Sequence, residues 1–143
     1  MSESSLDLLR IQEHPIRVEE AIQFVTAPTT GGTSVFVGTT RDTFDGKRVV
    51  QLEYEAYEEM AIKEMHRVCE MIREKFPSVR RAAIIHRTGV VPVGESSVVI
   101  AVSAPHRRDA IRGNEMAIDL LKRRVPIWKK VSSELFTCFH QNG

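Results

Sequence analysis

Five positive charges and one proline fall within the dozen residues DLLKRRVPIWKK, 119–130. Lys122 reads as part of a helix's last turn, and Lys129 lies beyond Pro126 on an extended segment. On an unbroken helix their spacing would part them by about two turns, roughly 10 Å along the axis. A turn between them instead lets both ammonium groups fold toward one spot. Leu121 and Trp128 flank that spot, and are expected to wall it and lower its dielectric. A lysine desolvated beside another cation loses pKa and becomes usable as an acid, base or nucleophile near neutrality. A plainer role is open to the same residues, because cations at a helix C-terminus complement the helix dipole.

SAPHRRD, 103–109, sits where an expected strand passes into a helix. Helix N-termini present free N–H groups that favour anions, and His106 and Arg107 would add donors there. Arginine's planar fork suits phosphate oxygens. Ser103 or Asp109 would serve equally as local caps, with His106 a solvated loop residue. Arg41 follows the segment SVFVGTT and precedes a turn, where loops deliver binding groups; a surface ion pair is the alternative. His86 and Arg87 end a strand and read as structural. The histidines at 14, 66, 86, 106 and 140 are scattered without zinc-ligand spacing, and no phosphate-binding glycine motif is present. Cys69 lies on an apolar helix stripe and Cys138 between two phenylalanines, so both read as core rather than nucleophile.

The elements that must position these residues follow from periodicity. VEEAIQFV (18–25) predicts a short helix, broken by TAPTTGG. TSVFVGTT (33–40) is a β-branched strand; RDTFDGK is a loop with an Asp-Gly turn; VVQLEYEAY (49–57) alternates as the next strand. From Glu58 to Phe76 the apolar stripe Ala61, Met65, Val68, Cys69, Ile72 and Phe76 predicts an amphipathic helix. AAIIHRTG and SSVVIAVSA are strands joined through VVPVGE. A second long helix runs over 107–124, with Ala110, Ala117, Ile118 and Leu121 inward, and ends because Pro126 disfavours helical geometry at Val125. IWKKV and LFTCF are the last strands. The class is α+β, with mostly antiparallel strands and two principal helices.

At 143 residues the chain reads as one domain spanning 1–143. Its 20 Lys and Arg against 19 Asp and Glu argue against a general nucleic-acid binder, whose affinity comes from many phosphate contacts. With only 6% aromatic residues, an RNA-binding role for KRRVPIWKK lacks its stacking platform. The basic character is local, suited to a small anion or an acidic partner. Two cysteines build no disulfide framework. The start MSESSLDLLR has neither the basic nor the apolar stretch of a signal peptide, and the apolar runs are too short to span a bilayer. A cytosolic protein without membrane association is expected.

VFVGTTRDTFDGK, LEYEAY, HRTGVVPVGE, VSAPHRRDA and AIDLLKRRVPIWKK, taken together, resemble the large, catalytic subunits of molybdopterin synthase over about residues 6–130. The eukaryotic form is resembled somewhat more than the bacterial. The resemblance implies an α/β-hammerhead fold and a heterotetramer, in which a central homodimer of large subunits binds a small ubiquitin-like sulfur carrier at each end. It implies that the carrier's C-terminal thiocarboxylate delivers sulfur to cyclic pyranopterin monophosphate, a pterin phosphate, forming the dithiolene of molybdopterin. No metal or other cofactor is implied, because the sulfur arrives on the carrier. By this resemblance Lys122 and Lys129 are the catalytic lysines, while Arg41, His106, Arg107, Lys130 and Val131 bind substrate. Val131 stands where the family usually carries an acid, and SSELFTCFHQNG is shorter than the family's tail. The competing expectation is a non-catalytic module that grips an acidic or Gly-Gly-tailed partner through the same basic cleft.

Overall fold

AAIIHR and SSVVIAVSA are apolar at consecutive positions, a pattern suited to strands covered on both faces. A computed structural model, which describes the backbone of residues 2–3, 6–132 and 137–141 and the side chains of 6–132, places both segments at the centre of a sheet. The chain begins with β1 (Ser2–Glu3), β2 (Asp7–Gln12), α1 (Val18–Val25) and β3 (Gly32–Thr39). A small hairpin of β4 (Thr43–Phe44) and β5 (Lys47–Arg48) leads to β6 (Gln51–Ala56) and α2 (Glu58–Lys75). Then come β7 (Ala82–Arg87), β8 (Gly89–Pro92), β9 (Ser96–Ala104) and α3 (Arg107–Arg124), followed by β10 (Ile127–Ser132) and β11 (Thr137–Gln141).

Among the described residues there is a five-stranded sheet, β1-β2-β7-β9-β3, a four-stranded sheet, β11-β10-β6-β8, and the β4–β5 hairpin. Pairing is antiparallel except between β2 and β7. Strand alternation divides the core in two. Ala83, Ile85, Val99 and Ala101 join Leu8 beneath Ala21 and Val25 of α1. Their sequence neighbours Ile84, Ile100 and Val102 join Leu9 and face the other way, into a cluster holding Met65 and Ile72 of α2, Leu121 of α3 and Ile127 of β10. The α2 stripe is as expected, with Cys69 fully buried on it. In α3, Asn114 donates from Nδ2 to Ser34 Oγ at 3.1 Å and to the Ile100 carbonyl at 3.3 Å, tying the helix to β3 and β9.

Three features depart from the reading of the sequence. DLLRIQ is a strand, β2, whose two leucines serve opposite faces and so show no alternation; Arg73 of α2 fastens it through a two-point ion pair with Asp7, 2.6 and 3.1 Å. VVPVGE is not a plain connection, because Gly89–Pro92 crosses to the second sheet and pairs with β6. RDTFDGK, expected as a loop, carries the first strand of the β4–β5 hairpin around its Asp45–Gly46 turn. The strand expected over LFTCF is present over Thr137–Gln141, while Leu135 and Phe136, and the side chain of Cys138, lie outside the described residues. No helix among the described residues is long and apolar enough to cross a membrane.

Candidate functional site: a half-buried lysine among cations

The second sheet sets the position of Lys129. On β10 it falls between Ile127 and Val131, which are 1% and 0% exposed, so alternation turns Lys129 to the same, core-facing side. It stands opposite the buried Tyr54 of β6. The ring of Phe44, from the β4–β5 hairpin, lies 5.4 Å from Lys129 Nζ. The ammonium is half-buried. That burial, followed by the charges of Arg41 and Lys122, holds the Lys129 pKa below its ordinary value.

Arg41 is exposed just beyond Thr40, which is buried. The register of β3 against β9 shifts between Gly38 and Thr39, an irregularity of the kind that re-aims a strand end. The β8–β9 turn then clamps the backbone: Gly94 N–H donates to the Thr40 carbonyl at 2.9 Å, and Thr40 N–H donates to the Glu95 carbonyl at 3.1 Å. Gly94 has φ +87°, which a side chain would strain. Arg87, nearly buried, holds this turn from behind through Glu95 at 2.8 Å and the Glu13 carbonyl at 3.1 Å. Lys122 comes from the last turn of α3, which ends at Arg124 with Val125 N–H donating to the Leu121 carbonyl, as the proline predicts.

Arg41 and Lys122, each from a separate element, thus come near enough to Lys129 for their charges to act on it. Other expected members do not. His106 and Arg107 are exposed at the opposite end of α3, about 22 Å along the helix axis from Lys122. Lys130 lies on the other face of β10, in register with Glu53. Val131, expected to bind substrate, is fully buried in the core, so its side chain does not reach the surface of this chain. Trp128 does not wall the lysine: adjacent strand residues point oppositely, and its ring packs edge-on against Tyr57 at 5.2 Å. Phe44 takes that place, in a segment where an isolated phenylalanine before an Asp-Gly turn gave no periodic signal.

Two further titratable groups, His86 and Cys69, are structural. His86 is fully buried, packs edge-on against Tyr54 at 5.0 Å and donates from Nδ1 to the Arg87 carbonyl; burial pushes its pKa down to about 4. Burial also pushes the Cys69 thiol upward, which suits a core residue and not a nucleophile. The described residues hold no group of three His, Cys, Asp or Glu side chains placed to bind a metal ion.

The fold and the cluster together define an α+β protein with a cationic, partly dry site, able to hold an anion or to stabilise charge that develops during reaction. Residues 11–124 match the MoaE protein family, and the chain belongs to it. A Drosophila willistoni protein named molybdopterin synthase catalytic subunit is 52% identical over 125 residues, covering 87% of this chain and 34% of that protein. The chain thus spans about a third of the length of that relative. A Taeniopygia guttata protein of the same name is 47% identical over 87% of this chain and 80% of its own length. The crystal structure of molybdopterin synthase from Staphylococcus aureus superposes with a TM-score of 0.88 at 37% identity, covering 97% of this chain and 98% of that one.

Proposed function

We propose that this chain is the catalytic subunit of a molybdopterin synthase. It takes sulfur from the C-terminal thiocarboxylate of a small ubiquitin-like carrier and transfers it to cyclic pyranopterin monophosphate, forming the dithiolene. The convergence of Arg41 and Lys122 on the half-buried Lys129 is the observation that carries this reading. When the carrier's carbon–sulfur bond breaks, negative charge develops on a carbonyl oxygen and on sulfur. Preorganised cations in a partly dry site stabilise both. The amine of Lys129, with its lowered pKa, is also suited to moving a proton as sulfur attacks. The names borne by the Drosophila and Taeniopygia relatives support the same assignment.

The working unit in this reading is a homodimer carrying two sulfur carriers. His106 and Arg107 stand about 22 Å from Lys122 within one chain, so a second copy supplies them to the site as the substrate's phosphate grip. Purified protein, thiocarboxylated carrier and pterin precursor should together yield dithiolene, and a carrier lacking its terminal Gly-Gly should yield none. Dithiolene formation that persists with the truncated carrier would refute the mechanism.

A further inference from the structure

The β4–β5 hairpin has only two cross-strand pairs, Thr43 with Arg48 and Phe44 with Lys47. Its turn residues Asp45 and Gly46 are both left-handed, with φ of 52° and 75°, the geometry whose twist matches a two-residue hairpin. An isolated hairpin is marginal at best. This one is anchored by Phe44, which packs partly buried against the main core and thereby brings its ring to 5.4 Å from Lys129 Nζ.

Lys129 needs such a neighbour. Arg41, from the loop after β3, and Lys122, from α3, repel it. Tyr54 of β6, directly opposite, is buried, with its hydroxyl pKa raised by that burial, and His140 occupies the opposing register position on β11. A lysine on a flexible four-carbon stem would relieve this repulsion by swinging into water. The negative face of an aromatic ring attracts a cation without introducing a carboxylate that would neutralise the cluster. The geometry points to Phe44 as a positioning residue, its ring holding the Lys129 ammonium within the cation cluster. Its importance for turnover rests on the proposed catalytic role of Lys129.

Lys129 can be read directly by pH-dependent acetylation with trace acetic anhydride and mass spectrometry, using the exposed Lys63 as internal standard. In the unaltered protein Lys129 should become reactive at lower pH than Lys63. Phe44→Ala should release the ammonium from burial and from its neighbouring cations, an effect that outweighs the lost ring attraction, move its profile toward that of Lys63 and lower its relative rate near neutrality by about fivefold. Phe44→Leu keeps apolar bulk without the ring's negative face and should behave the same way, whereas Phe44→Tyr should retain the original profile. In the Ala and Leu variants kcat should fall roughly five- to tenfold with little change in KM. An unchanged Lys129 profile in Phe44→Ala overturns the proposal, and original behaviour in Phe44→Leu overturns the part assigned to the ring. Labelling requires no sulfur carrier. A Phe44-dependent profile in a protein that transfers no sulfur would therefore uphold the positioning role and overturn only the catalytic reading.

Discussion

Lys129 combines two properties that oppose each other, a charge and a place on the buried face of a strand. Helix-end decoration accounts for Lys122 alone, but not for a second lysine whose proton affinity is lowered by burial and by two neighbouring cations. Lys122→Ala or Lys129→Ala should change stability by well under about 1 kcal/mol while lowering turnover by a factor on the order of 100. Lys122→Arg should stay badly impaired and Lys129→Arg should recover in part, as judged by kcat at saturating precursor. Where turnover requires the protonated Lys129, it should decline on the alkaline side at lower pH than an ordinary lysine would dictate. Lys129→Arg should push that limb upward. His86 bears on stability instead. Its folded pKa of about 4 lies below the ordinary 6.5, so the unfolded chain takes up a proton first as pH falls. Stability should drop by about 3 kcal/mol between pH 6.5 and 4 on this account and then level off. In urea titrations across that range, His86→Gln should show a shallower loss than the original protein.

Helix α3 and strand β3 are the elements that set distances across the molecule. They run side by side because Gly32 lets the helix start approach the strand's backbone: a Cβ there would lie 2.8 Å from Arg107 Cα and 2.9 Å from its nitrogen. Both atoms belong to the backbone and cannot rotate away. Gly32→Ala should therefore destabilise the fold by about 1–3 kcal/mol, visible as a lowered denaturant midpoint. At its far end α3 is braced by Arg124, which pairs with Glu64 of α2 at 3.2 Å, so that arginine supports the helix rather than the site. The turn after β8 does similar work for Arg41 by clamping Thr40 on both its N–H and its carbonyl.

At the scale of the whole molecule, the proposed sharing of a site between two copies, which would unite the lysines of one with His106 and Arg107 of the other, makes a specific demand on assembly. Light scattering should find a dimer. Lys122→Ala, impaired in kcat, and Arg107→Ala, nearly inactive at precursor concentrations well below its raised KM, should complement in that regime when their dimers are dissociated and remixed, because half the sites in a mixed dimer combine intact groups from both copies. Random pairing should restore about a quarter of the original activity. No recovery would place the whole site within one chain and refute the shared arrangement. Arg107→Ala by itself should mainly raise the apparent KM for the precursor, since a phosphate grip binds ground state and transition state alike.

The sequence by itself determined the elements whose signals are local. The stripe from Ala61 to Phe76 specified α2, Pro126 specified the end of α3, and the β-branched run from Ser97 to Val102 specified a central strand. It also marked Lys122, Lys129 and Arg41 as the cations to watch. Only the tertiary structure decided which way each of them points and what stands beside it. Alternation along β10 sends Trp128 away from Lys129 and buries Val131, and a single frame of register separates the two outcomes. DLLRIQ became a strand because two unrelated layers each claimed one of its leucines. Phe44 reached Lys129 across 85 positions of sequence, through packing that no periodic pattern encodes.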